Sequence, residues 1–274
     1  MRKMLILLTL CLIAAISAMA QGRVQTRSYI LGDFQDKVTK VVVPEDTFLQ
    51  SALKQEVVNI WSASAFEFCT QKEFEALKSQ DKYYFLTVQA FKFKGEQEPG
   101  ILFLSLLKGG EHEVISLPLA PADGSSGREL VYLGGLVKAI QDYTLAAMES
   151  EKTAYIPEKW FNANYAKWGR MMTIYMARED ISLSVKEANV EKYLDADFHI
   201  TDADTADGVF ADAPVNTLVS YCVAPVDPSS ASYSYQMLFK ADTLELFYIS
   251  RHRIRPRSLA GFLTQDLKWL VGRR

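Results

Sequence analysis

Ser105-Leu106-Leu107-Lys108-Gly109-Gly110-Glu111-His112-Glu113-Val114-Ile115-Ser116-Leu117 reads as a strand, a tight Gly-Gly turn and a second strand. The pattern returns in the second half of the chain as Met237-Leu238-Phe239-Lys240-Ala241-Asp242-Thr243-Leu244-Glu245-Leu246-Phe247-Tyr248-Ile249. Lys108 falls on Lys240, Glu113 falls on Glu245, and apolar positions fall on apolar positions. Two matching hairpins predict an internal duplication.

The flanks of the hairpins extend the match. Upstream of the first, Val38 to Val43 is a β-branched strand stopped by Pro44-Glu45-Asp46, with Asp46 placed to cap a helix over Phe48 to Trp61. Phe66 to Cys69 is a short strand. Thr70 and Glu73 form a capping box for a helix over Gln71 to Ser79, and Tyr83 to Phe93 is a long strand. Downstream, Glu129 to Met148 has the apolar spacing of a long helix. In the second half the same order runs through Thr173–Met176, a helix opened by a Ser184/Glu187 capping box, Asp197–Thr201, a weak helix over Ala206–Ala213, Asn216–Val223 and the hairpin. A closing helix covers Ser258–Val271. The fold expected is α/β (α+β): two tandem pseudo-repeats of β-α-β-α-β-β-β-α, each a small mixed sheet packed with helices.

The divisions follow. Residues 1–20 form a secretory leader: Arg2 and Lys3, an apolar run, then Ala18-Met19-Ala20. A lipid anchor at Cys11 fits poorly, because Leu10 stands where a small residue is needed. Residues 21–37 are a mature N-terminal arm, 38–148 the first unit, 149–171 an aromatic-rich join and 172–274 the second unit. The expected address is outside the cytoplasm, periplasmic or extracellular, with no transmembrane segment. Removing Arg2 and Lys3 takes the formal charge from −3 to −5, which argues against a nucleic-acid binder. Cys69 and Cys222 remain after the leader is removed, and an oxidising compartment leaves a bridge between them open.

No complete catalytic set is present. Ser51-Ala52-Leu53-Lys54 fits S-x-x-K, in which Lys54 would activate the Ser51 hydroxyl of a serine hydrolase. Leu53 belongs to an ordinary amphipathic face, however, and the other motifs of such enzymes are missing. His112, His199 and His252 have no partner at metal-ligand spacing. Asp202-Ala203-Asp204-Thr205-Ala206-Asp207-Gly208 departs from a calcium loop by one inserted residue and reads better as a helix-capping acidic stretch. Neither a metal nor a cofactor is expected.

Two stretches remain as binding candidates. Arg251, Arg253, Arg255 and Arg257 alternate and would share one face of an extended chain, as a surface for an anionic polymer, a head group or an acidic envelope protein. The ordinary alternative is a solvated strand end. In the join, Trp160, Tyr165 and Trp168 could stack sugars, or wedge the two units together, as large apolar side chains more often do.

The order of elements from Val38 through Pro44-Glu45-Asp46 to Met148 resembles the amino-terminal domain of TolB and similar modules of envelope-assembly lipoproteins, with a second copy at 172–272. That resemblance is architectural and carries no motif. It implies a non-catalytic part in an envelope assembly.

Overall fold

The computed structural model describes residues 26–109, 112–193 and 197–272, and the leader with Cys11 lies outside them. The first unit comprises β1 (Val38–Val42), α1 (Thr47–Ile60), β2 (Phe66–Cys69), α2 (Gln71–Leu77), β3 (Tyr83–Phe91), β4 (Ile101–Lys108), β5 (His112–Pro121) and α3 (Arg128–Glu149). The join holds α4 (Glu151–Tyr155) and α5 (Pro157–Trp168). The second unit comprises β6 (Thr173–Ala177), α6 (Glu187–Glu191), β7 (Phe198–Thr201), α7 (Ala203–Asp212), β8 (Thr217–Val223), β9 (Tyr233–Lys240), β10 (Leu246–Arg253) and α8 (Thr264–Val271).

The strand orders are β2-β1-β3-β4-β5 and β7-β6-β8-β9-β10, the same order twice. In each sheet the first strand is parallel to both neighbours and the last three strands are antiparallel. The parallel pairs are joined through helices, because a parallel partner cannot be reached by a tight turn. The chain is therefore a mixed α/β protein with two similar sheet-helix units.

Local chemistry explains the first unit. Asp46 accepts the Leu49 amide at 2.8 Å and caps α1. Thr70 and Glu73 make the expected reciprocal box at α2. Pleating sends Val41, Tyr84 and Leu86 into the main core, whereas Val42, Phe85 and Leu107 meet Phe74 of α2 in a smaller cluster.

The second unit departs from expectation in three places. Ser184 caps nothing: its hydroxyl pairs with that of Ser182 at 2.7 Å, and α6 begins only at Glu187. The weak helix is a full one, α7, because Asp202 accepts the Thr205 amide at 2.8 Å. The closing helix is short. Ser258–Leu263 instead runs across Asp180–Ser182, with Phe262 N donating to Asp180 O at 2.7 Å. Gly261 permits this crossing. Its φ is +106°, and a Cβ there would stand 2.6 Å from Asp180 O.

One continuous core joins the units. Tyr132 of α3 stacks on Tyr221 of β8, with centroids 4.4 Å apart and planes 8° apart, and on Phe210 of α7 at 4.6 Å. Gly135 lets α3 approach β9, since a Cβ would stand 2.8 Å from the Phe239 ring. Arg128, at the start of α3, clasps the second unit. It donates to Asp180 Oδ1 at 2.8 Å and through Nε to both Asp207 oxygens at 3.1 and 3.0 Å. Tyr132 Oη donates to Asp207 at 2.8 Å, and Ser220 Oγ to Asp180 at 2.6 Å. Burial alone would weaken the guanidinium's hold on its proton, but Asp180 and Asp207 raise its pKa overall.

The N-terminal arm is part of the fold. Leu31 and Phe34 are fully buried, and Phe34 packs edge-on against Tyr84 at 4.8 Å. Asp33 accepts from Lys108 Nζ at 2.9 Å and from Tyr84 Oη at 2.8 Å, and pairs with Lys37 at 2.7 Å. Burial would raise the Asp33 pKa, but these donors lower it to about 2. A depressed carboxylate stabilises the fold above its ordinary value of 3.8 and loses that contribution as pH falls towards about 2. The group is part-exposed, so the contribution is screened. Asp33→Asn should cost about 1 kcal/mol at pH 7 and almost nothing near pH 2. Urea midpoints at the two pH values check this, and an equal gap at both would exclude it.

Candidate functional site

α5 starts at Pro157, where a missing amide hydrogen does no harm, and its cap Gly169 leads into a single 3-10 turn. Its sequence gives it two working faces. On the inner face Phe161 is buried, and Tyr165 is fully buried with its hydroxyl donating to Leu270 O at 3.0 Å. Asn162 lies against edge strand β10. Its Nδ2 donates to Ile249 O at 3.0 Å, and its Oδ1 accepts Ile249 N at 2.8 Å. Tyr165 is therefore a structural wedge, and the grouping of it with the tryptophans as a binding residue is corrected.

On the neighbouring face Trp160, Asn164 and Trp168 follow one another at one-turn spacing. They look onto a groove made of two adjoining pockets, of about 240 and 480 Å³, which share Asn164 and Glu245. Asp142 of α3 lies at one end, and Lys240, Asn216 and Met171 lie at the other. Trp160 is held edge-on by Phe161 at 4.9 Å and by Tyr143 at 6.1 Å. Trp168 is 43% exposed and Met171 64%. The structure thus brings together two of the three expected join aromatics. Asn164, Glu245 and Lys240 were not recognised as their companions. The one-turn spacing of Asn164 between two tryptophans was the available signal.

Two of the three charged side chains that line the groove are ion-paired. Lys240 pairs with Asp242 at 3.0 Å, Asp142 with Lys138 at 2.9 Å, and Glu245 accepts the Thr243 hydroxyl at 2.7 Å. Among the described residues the Asn164 side-chain amide has no hydrogen-bond partner.

The four arginines do not form one row. β10 ends at Arg253, and the chain then turns at Arg255-Pro256-Arg257, with Arg255 and Ser258 exchanging backbone hydrogen bonds. Arg251 stands 5.6 Å over the Tyr233 ring and donates to Tyr235 Oη at 3.4 Å. It lines a cavity of about 30 Å³ between β5, α5 and β10, room for roughly one water. Arg253 Nε donates to Ser230 O at 2.7 Å. The expectation that Arg251, Arg253, Arg255 and Arg257 share one face fails because the strand is too short.

The remaining candidates are accounted for locally. Ser51 donates to Thr47 O at 2.8 Å, and the Lys54 ammonium lies 5.9 Å from the Phe68 ring, so the pair is not arranged as nucleophile and base. Asp202 caps α7, and Asp207 is engaged by Arg128. Cys69 and Cys222 are free thiols in different sheets, which corrects the bridge left open by the sequence. Burial raises the pKa of both, that of Cys222 to about 12. No helix among the described residues is long and apolar enough to cross a membrane. Comparison with protein families, with curated proteins and with solved structures returns no match.

Proposed function

We propose that the chain is an exported component of the cell envelope that acts by binding rather than catalysis, and that its ligand occupies the groove along α5. The observation that carries this proposal is the line Trp160, Asn164, Trp168 along one groove: Trp160 is part-buried against the core, Trp168 is exposed with the Lys167 ammonium 4.6 Å from its ring, and the Asn164 amide between them is unengaged among the described residues. Large aromatic faces left accessible beside polar groups are what ligand sites require and what a folded core tends to remove. The leader at 1–20 supplies the address. The architectural resemblance to TolB amino-terminal domains supports a place among envelope-assembly proteins.

Fractionation of producing cells tests both parts. The mature chain should begin at Gln21, appear in the exported fraction and be retained by envelope material. Trp168→Ala should reduce that retention several-fold without a change in circular dichroism. An intact amino terminus at Met1 in the cytosol would refute export. Retention indifferent to Trp168→Ala would refute the groove.

A further inference from the structure

We infer that the groove along α5 is a subsite for a linear, uncharged saccharide chain, with Trp160 and Trp168 as stacking platforms and Asn164 as the hydrogen-bonding group between them. The inference rests on the proposed binding function and names the ligand class for it.

Three observations select this class. The first is spacing. Trp160 and Trp168 are two turns apart, about 12 Å along the helix axis, roughly the length of two or three linked pyranose rings. A pyranose presents a face of C–H bonds that packs on an indole and a rim of hydroxyls that needs donors and acceptors nearby. Asn164 offers both, and Asn216 and Glu245 lie along the same groove.

The second is charge. Two of the three charged side chains that line the groove are ion-paired within the chain, Lys240 with Asp242 and Asp142 with Lys138, while Glu245 accepts only the Thr243 hydroxyl and keeps acceptor capacity for a ligand hydroxyl. An anionic polymer would have to displace Asp242 to reach Lys240, and a cationic ligand would compete with Lys138 for Asp142. A neutral ligand disturbs neither pair.

The third concerns peptides. An extended peptide binds by adding to a free sheet edge, but Asn162 already occupies the backbone of Ile249 on β10. A helical peptide needs a continuous apolar trough, and here polar side chains interrupt the two tryptophans.

Isothermal titration of the mature chain with cellohexaose and with chitohexaose tests the inference. Saturable heat is expected with at least one of them. Trp168→Ala should weaken the affinity about tenfold or more, and Asn164→Ala several-fold, with the melting temperature nearly unchanged in both. Asn164→Ala keeps the test intact should the tryptophan variant fold poorly. Absence of heat from the folded wild-type chain with both hexasaccharides would overturn the saccharide assignment, as would binding that both variants leave unchanged. If the sugars fail while envelope retention still depends on Trp168, the binding function stands with a protein occupant. If both fail, the groove is not a binding site.

Discussion

Replacing Arg128 with Met should lower the unfolding free energy by about 3–5 kcal/mol, the cost of removing one partner from a buried ionic cluster. The clasp sets one guanidinium against two carboxylates, Asp180 and Asp207, with side chains that are 3% and 13% exposed. Without Arg128 these like charges remain in a poorly hydrated seam between the units. Arg128→Lys should recover only part of the loss, because an ammonium cannot reproduce the fork that reaches both acids at once. Asp207→Asn placed on Arg128→Met should regain stability, giving a clear coupling energy in a double-mutant cycle. Urea denaturation provides the readout. A loss below about 1 kcal/mol for Arg128→Met would mean that the clasp is solvated and contributes as little as a surface pair.

Tyr132→Ala should be comparably severe, about 3–5 kcal/mol, as for other large aromatic truncations in cores. The ring is fully buried and lies between Tyr221 and Phe210. Tyr132→Phe separates the two contributions of this side chain. It keeps the stack and removes only the donor to Asp207, so its cost should be about 1–3 kcal/mol. If the Phe variant is as damaged as the Ala variant, the hydroxyl rather than the stack holds the seam. Because the core runs through both units, each variant should still unfold in one transition.

What was legible in the sequence depended on range. The Asp46 cap, the Thr70/Glu73 box and the strands of the paired hairpins are each set within a few residues, and the structure has them where the local pattern placed them, the Gly110-Glu111 part of the first turn lying outside the described residues. Ser184/Glu187 has the same spelling as a capping box. There the nearby Ser182 hydroxyl takes Ser184 instead, a competition that the motif alone does not show. The closing segment has helical spacing from Ser258, but Gly261 and the bridge to Ile181 hold it extended until Thr264.

The clasp was not legible at all. Asp180 closes a 3-10 turn over Arg178–Asp180 and Asp207 sits in an acidic stretch, and neither hints at Arg128. Their meeting is fixed by how two sheets dock, not by any local preference. The groove was half legible. The aromatic join was visible, but placing Tyr165 inward, Trp168 outward and Trp160 part-buried at the groove required knowing which side of α5 meets β10.

The Asn162 amide on β10 bears on how the protein behaves in a crowded compartment. A terminal strand with vacant backbone groups invites copies of the same chain to join it and propagate into fibres. At Ile249 the donor and acceptor positions that a recruited strand would use are filled by a side chain from the same molecule. The edge strand of the other sheet is treated similarly, for Tyr221 Oη donates to Leu119 O at 2.5 Å. Duplicating a sheet also multiplies its edges. In this chain each unit's longer border strand has a backbone position already occupied by a side chain of the same molecule, at Ile249 through both donor and acceptor and at Leu119 through the carbonyl, and a recruited strand would have to displace it.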